Sequence, residues 1–254
     1  MKLSQEQVAQ FHQKGYIVVE DLLNTDEVET LRQEVADIAE GRSDFPAAKI
    51  EYEPNADPDV APIDRLRKLN ECALNASVFM DHARKSAILD VVEDLLGPDL
   101  KLYGDQMFLK PPGGMEKTYH QDSPYFKIDP MALVSSWVAM DDVTLENGCL
   151  WVVPGSHEGG ALDHSEVWMV GDRQDMTVPE TVFDRNAEES ITMKMGDCSF
   201  HHSLLLHRSG PNNTPHRRRG LATHYMSAQS RWTGAPEDKP EYLLLRGREF
   251  PGCV

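Results

Sequence analysis

The chain has 254 residues, 40% hydrophobic and 26% charged, with a formal net charge of −17. This is the composition of a soluble globular protein long enough for one large domain. The acid is spread along the chain and repels phosphate backbones and anionic lipid, which argues against nucleic acid and membrane surfaces as partners, and no apolar run is long enough to span a bilayer.

Residues 1–100 read as a mainly helical flank packed on a β core. Ser4 caps a short helix stopped at Gly15, and a strand comes next at Tyr16 to Val19. Val28, Leu31, Val35 and Ile38 recur at helical spacing, with Thr25 as N-cap and Gly41 at the end. Residues 42–64, rich in Pro, Asp and Ala without a period, read as a loop. From Asn75 a further amphipathic helical region runs to Gly97 and Pro98.

After residue 100 the texture changes. Residues 101–110, 132–140, 149–156, 190–197, 203–210 and 219–226 are short strand-like runs separated by Gly, Pro, Asn and Asp turns. Without helices between them, they predict antiparallel sheets closed as a sandwich or jelly roll, not a parallel α/β sheet. The fold class is mainly β with peripheral helices, one domain over 1–254, with its core at 101–230 and an extension at 231–254. Residues 156–190 read as a long insertion of the kind that closes over a site. Cys72, Cys149, Cys198 and Cys253 form no close pair and no zinc spacing, and the N-terminus has no apolar signal core. Reduced thiols in a cytoplasmic setting are therefore expected.

The segment YHQDSPYFKIDP, residues 119–130, places His120 and Asp122 two apart. On an extended backbone both point to one side. A third ligand is needed to hold a catalytic metal. His207 comes after three leucines that read as a buried strand, and His201 shares its parity, so spacing leaves both open. Two histidines and one carboxylate form the facial triad of non-haem Fe(II), with one octahedral face open. Farther on, alternation puts Arg218, Gly220, Ala222 and His224 on one strand face and Arg219, Leu221, Thr223 and Tyr225 on the other. A guanidinium beside small residues has room to grip a carboxylate through two parallel bonds. Tyr119, Tyr125 and Phe126 flank the His–Asp pair and are candidates for the substrate side. Lys110 shares strand parity with Gln106 and Phe108, which would let it meet an anionic substrate, but the favoured reading is a surface lysine at a turn before Pro111 and Pro112; His202 and His224 read as structural histidines.

Together these pieces resemble the phytanoyl-CoA dioxygenase family of Fe(II)/2-oxoglutarate oxygenases. The resemblance spans nearly the whole chain, through FHQKGYIVVEDLL, FLKPPGG, HQDSPYF, NGCLWVVPGSH and HRSG followed by an arginine. It implies a double-stranded β-helix core, with Fe(II), 2-oxoglutarate and O2 as cofactor and co-substrates. The family's distal histidine begins H-x-S-G, which matches His207, and its 2-oxoglutarate arginine lies eleven residues beyond, at Arg218. Ser209 matches a position that binds the same carboxylate, and Gln106 and Trp137 match positions lining that pocket. The implied activity is oxidation of an unactivated C–H bond of a small-molecule substrate, with succinate and CO2 released. A halogenase would carry a small residue where Asp122 stands. A non-oxygenase cupin or isomerase, or a non-catalytic sensor of 2-oxoglutarate and iron, would not release succinate.

Overall fold

The computed structural model of the chain describes residues 2–54, 56–170 and 173–254. Helix α1 (Gln5–Lys14) begins with a capping box in which the Ser4 and Gln7 side chains each accept the other's backbone N–H, and it ends at Gly15. Strand β1 (Tyr16–Val19) is next. Helix α2 (Thr25–Ala39) is capped by Asn24, not Thr25, because Asn24 and Glu27 close a second capping box. Its periodic residues Val28, Leu31, Val35 and Ile38 are all buried.

The stretch read as a loop contains a short strand, β2 (Ile50–Tyr52), and β3 (Leu66–Asn70) comes after it. The helical region expected from residue 75 is broken into α3 (Cys72–Asn75), α4 (Ser77–Ala83) and α5 (Ser86–Leu96). The remaining strands, in chain order, are β4 (Leu100–Lys110), β5 (Lys117–His120), β6 (Ile128–Asp129), β7 (Val134–Ala139), β8 (Leu150–Val152), β9 (Glu166–Val170), β10 (Arg173–Thr177), β11 (Glu189–Ile191), β12 (Cys198–His202), β13 (His207–Ser209), β14 (Arg218–Ser227), β15 (Arg231–Trp232) and β16 (Leu244–Arg246).

Among the described residues, an eight-stranded sheet runs β1–β12–β7–β14–β4–β3–β2, with β16 also on β4, and a four-stranded sheet runs β11–β8–β13–β5. The pairings in both are antiparallel. The two sheets form a jelly-roll core. Trp137 and Ala222 of the large sheet pack in one apolar cluster with Val152 and Ile191 of the small one. The other face of the large sheet carries Met107, Val134, Val138, Phe200, Leu221 and Tyr225, buried under α2, α4 and α5. The segment before residue 100 supplies β1, β2 and β3 to the large sheet, and the segment after 230 supplies β16, so the sheet runs across both of the expected boundaries.

The 156–190 insertion carries the hairpin β9–β10, and its residues 171 and 172 lie outside the described residues. The hairpin is tied down by an ion pair from Lys117 to Asp175 at 2.7 Å and by the Tyr125 hydroxyl donating to the Met176 carbonyl at 3.3 Å. No helix among the described residues is long and apolar enough to cross a membrane.

Candidate active site

His120 ends β5, His207 begins β13, and the two are register partners. In each imidazole Nδ1 lies 2.8 Å from the backbone carbonyl two residues earlier, that of Thr118 or Leu205. A carbonyl only accepts, so Nδ1 carries the proton and Nε2 is left with its lone pair. Both Nε2 atoms lie 3.8 Å from Asp122 Oδ1. Ligand atoms of the three side chains all fall within 4.8 Å of one another, a grouping able to hold a metal ion. Burial keeps His120 well below, and His207 below, the usual imidazole range, so both are neutral donors. Burial opposes ionisation of Asp122, yet the His201 side chain beside it leads in holding its carboxyl well below the usual carboxylate range.

The three side chains converge by a different route from the one alternation suggested. β5 stops at His120, and Asp122 has helical dihedrals (φ −75°, ψ −46°) at the start of a 3-10 turn over Ser123–Tyr125. The backbone N–H groups of Asp122 and Ser123 both donate to the Ser203 carbonyl at 2.9 Å, which pins the turn. Residues 203–206 are themselves a turn, with Ser203, Leu205 and Leu206 buried, and not a strand, so no continuous parity links His201 to His207. His201 faces the site from β12 with its Nε2 3.6 Å from Asp122 Oδ2, the oxygen away from His120 and His207.

At the other end, alternation along β14 holds. Arg218, Ala222 and His224 line a cavity of about 410 Å³ shared with the three metal-site residues. Gly220 is on the same face, but a β-carbon there would overlap the Trp137 indole, so the space it opens is filled by Trp137 and not by a ligand. The Arg218 guanidinium is 2% exposed, sits 5.2 Å from the Trp137 ring centre, and donates from Nη2 to the Gly148 carbonyl at 2.8 Å. Among the described residues its Nε has no hydrogen-bond partner and no carboxylate forms an ion pair with it. Burial pushes its pKa down to about 10. A buried fork of donors lacking a counter-charge fits a carboxylate ligand.

The surroundings of this arginine were only partly foreseen. Gly148 has φ +86°, and a β-carbon on it would strike the Gly210 carbonyl, so the N-G-C turn presses on Gly210 only as glycine. Lys110 is not a surface lysine. It is 7% exposed, with Nζ 2.9 Å from Ser209 Oγ and 3.3 Å from the Ser209 carbonyl, and it also donates to the Gly210 carbonyl. Its shared parity with Gln106 and Phe108 was the signal for an inward position.

Gln106, Trp137, Ser209, Tyr125 and Phe126 line the cavity. Tyr119 does not. It has the opposite parity to His120 on β5, is buried against Phe183, and accepts a hydrogen bond from Arg208 Nε at 2.9 Å. Sequence reasoning missed the charged mouth: Glu51 on β2, Arg67 and Lys68 on β3, and Asp175 on β10. Arg67 pairs with Glu51, and half-buried Lys68 lies 3.9 Å from Glu51. His202 accepts from the Leu204 N–H and stays structural.

The phytanoyl-CoA dioxygenase family model matches residues 11–220. The peroxisomal phytanoyl-CoA dioxygenase of Mus musculus is 30% identical over 234 residues, covering 89% of this chain and 69% of that one. A probable alpha-ketoglutarate-dependent hypophosphite dioxygenase of Stutzerimonas stutzeri is 26% identical over 259 residues, covering 98% and 89%. Among solved structures, EctD from S. alaskensis with bound Fe has a TM-score of 0.76 at 25% identity, covering 99% of this chain and 87% of that one. On the extent of the family match and the mouse relative, the chain belongs to the phytanoyl-CoA dioxygenase family.

Proposed function

We propose that the chain is an Fe(II)/2-oxoglutarate-dependent oxygenase that hydroxylates an unactivated C–H bond of a small polar metabolite or natural-product intermediate. One observation carries this reading: a single cavity has a two-histidine, one-carboxylate cluster at one end and, at the other, a buried arginine with no counter-charge among the described residues. Bound Fe(II), with 2-oxoglutarate and O2, supplies the oxidising power, and the co-substrate leaves as succinate and CO2.

The chain's own part is binding, orientation and exclusion of water. His120, Asp122 and His207 would hold the metal. Arg218 grips the distal carboxylate of 2-oxoglutarate through its fork, and Ser209 adds a hydroxyl donor. Trp137 backs the guanidinium with an apolar plate, and Gln106 lines the same end. Tyr125 and Phe126 lie on the substrate side. The cavity is at the small end of ligand pockets, and its mouth bears charges of both signs, which supports a compact polar substrate over a long acyl thioester. The four unpaired cysteines, three of them buried, support a reducing compartment such as the cytoplasm.

Purified protein supplied with Fe(II), 2-oxoglutarate and a metabolite panel is expected to release succinate with at least one panel member. Metal analysis of the His120→Ala, Asp122→Ala and His207→Ala variants accompanies it. Wild-type iron content in all three would remove the metal assignment, and ligand binding without succinate would leave a sensor.

A further inference from the structure

Asp122 presents its two oxygens to different neighbours. Oδ1 faces the Nε2 atoms of His120 and His207, each at 3.8 Å. Oδ2 faces the inner side of the large sheet and accepts from Ser135 Oγ at 3.1 Å. Ser135 Oγ in turn lies 2.7 Å from His224 Nδ1. Ser135 is fully buried and His224 is nearly so, and they are register partners on β7 and β14.

The direction of these bonds is set by proton count. A hydroxyl has one proton, and a carboxylate has none to give. Ser135 therefore donates to Asp122 Oδ2, and its lone pair must accept from His224. That makes His224 the Nδ1–H tautomer and a member of a hydrogen-bonded series, where the sequence suggested an isolated structural histidine. Asp122 lies on a turn and not in a strand ladder, so no backbone pairing fixes its side-chain torsion. The series His224 → Ser135 → Asp122 does so from two rigid strands. His201 Nε2, at 3.6 Å from Oδ2, is too far for a good hydrogen bond, so it favours the charge of the carboxylate without fixing its torsion.

We infer that Ser135 and His224 are positioning residues acting in series, which hold Oδ2 of Asp122 away from the metal so that the carboxylate binds through Oδ1 alone. This rests on the metal reading above. With both oxygens free to turn inward, a carboxylate takes a second coordination position. The lock keeps that position open for the co-substrate. Partners of metal-ligating side chains are typically worth 10–100-fold in metal affinity.

The test uses Co(II) as the probe, titrated anaerobically into metal-free full-length protein, with its visible d–d absorption as a second readout. Ser135→Ala is expected to weaken Co(II) binding roughly 10–100-fold and to change the d–d band. Ser135→Thr, which keeps the hydroxyl, is expected to recover most of both. His224→Phe removes the upstream donor while filling the site, and is expected to shift both readouts the same way by less. In a series arrangement, adding His224→Phe to Ser135→Ala changes nothing further, whereas independent effects add. Should Ser135→Ala not fold, the His224→Phe and Ser135→Thr titrations still decide. Wild-type affinity and spectrum in Ser135→Ala, or in His224→Phe when the serine variant does not fold, overturn the inference while leaving the triad intact. Failure of the wild-type protein itself to bind Co(II) overturns the metal reading instead.

Discussion

Arg218 and Arg219 are neighbours on one strand, both shielded from water, and they face opposite sides of it. Arg219 faces outward and is fully matched: Nε and Nη2 bond the two oxygens of Asp141 at 2.9 and 2.7 Å, and its backbone N–H bonds the same carboxylate. Arg218 faces inward, and among the described residues it has a carbonyl and an indole but no carboxylate. The same contrast holds across the large sheet. Its outer face is an apolar seat for the helices, and its inner face collects polar groups that converge on a cavity. Burial of a charge therefore says little by itself. A buried charge left without its partner is the mark of a ligand site, because keeping it so is costly.

The largest effect expected on the inner face is at Arg218. Removing one partner of a buried charged pair costs about 3–5 kcal/mol, or roughly two to three and a half decades of affinity. Arg218→Ala should raise the 2-oxoglutarate requirement at least about a hundredfold while iron binding is kept. Arg218→Lys should recover only part, since an ammonium cannot supply the two-pronged geometry. Arg219→Ala and Arg217→Ala should leave the requirement almost unchanged and lower stability instead, because their partners are Asp141 and Asp64. Titrating 2-oxoglutarate against the four variants decides it, and the large loss appearing at Arg219 would reverse the two faces.

Next in size is Lys110, whose ammonium bonds Ser209 Oγ and so leaves the hydroxyl proton free for a carboxylate. Loss of one charge-assisted bond is worth ~1.5 kcal/mol at the low end. Lys110→Met should thus raise the 2-oxoglutarate requirement roughly tenfold with turnover at saturation largely kept. An unchanged requirement would mean that the lysine only ties β4 to β13.

A smaller effect is expected at His201. It is buried beside Asp122 but stands on the wrong side of the carboxylate to join the cluster. His201→Ala should keep stoichiometric iron and measurable succinate release. If it loses metal while His207→Ala keeps it, the third ligand has been misassigned.

These cases also show what the sequence made legible. Alternation is a property of unbroken strands, so it read β14 correctly over Arg218–His224. It had no purchase where the chain leaves the strand. Asp122 sits in a helical turn, and the three leucines before His207 lie in a turn, so the cluster of His120, Asp122 and His207 was singled out through family resemblance and not through parity. Where parity did apply it deserved more weight: it turns Tyr119 away from His120, and it points Lys110 inward against the turn signal of Pro111 and Pro112. The charged mouth draws Glu51 from β2, Arg67 and Lys68 from β3 and Asp175 from β10, segments far apart in the chain whose meeting no local pattern signals. The tie from Ser135 to Asp122 joins residues 13 apart through a turn, and His224 lies 89 from Ser135, distances at which local pattern carries no information.

The smallest effect on turnover is expected from the outer face, at Asp105. This residue belongs to β4, one position from Gln106 but pointing under the helices, where Oδ2 accepts from the Ala73 N–H at 2.8 Å and Oδ1 has no partner. Burial raises its carboxyl pKa to about 7, against ~3.9 for an unfolded aspartate. Between those values the native state holds a proton that the unfolded chain has released. The stability it contributes is complete below the unfolded pKa and is lost as pH rises through about 7. Across pH 6 to 8 that loss amounts to about 1.4 kcal/mol. Asp105→Asn cannot titrate, so the stability of the variant relative to wild type should increase by this amount over the same range, with 2-oxoglutarate affinity untouched. Urea unfolding of both proteins at pH 6 and pH 8 measures the difference. A pH-independent difference would mean that Asp105 is already ionised in the native fold, and that the outer face too holds an unmatched charge.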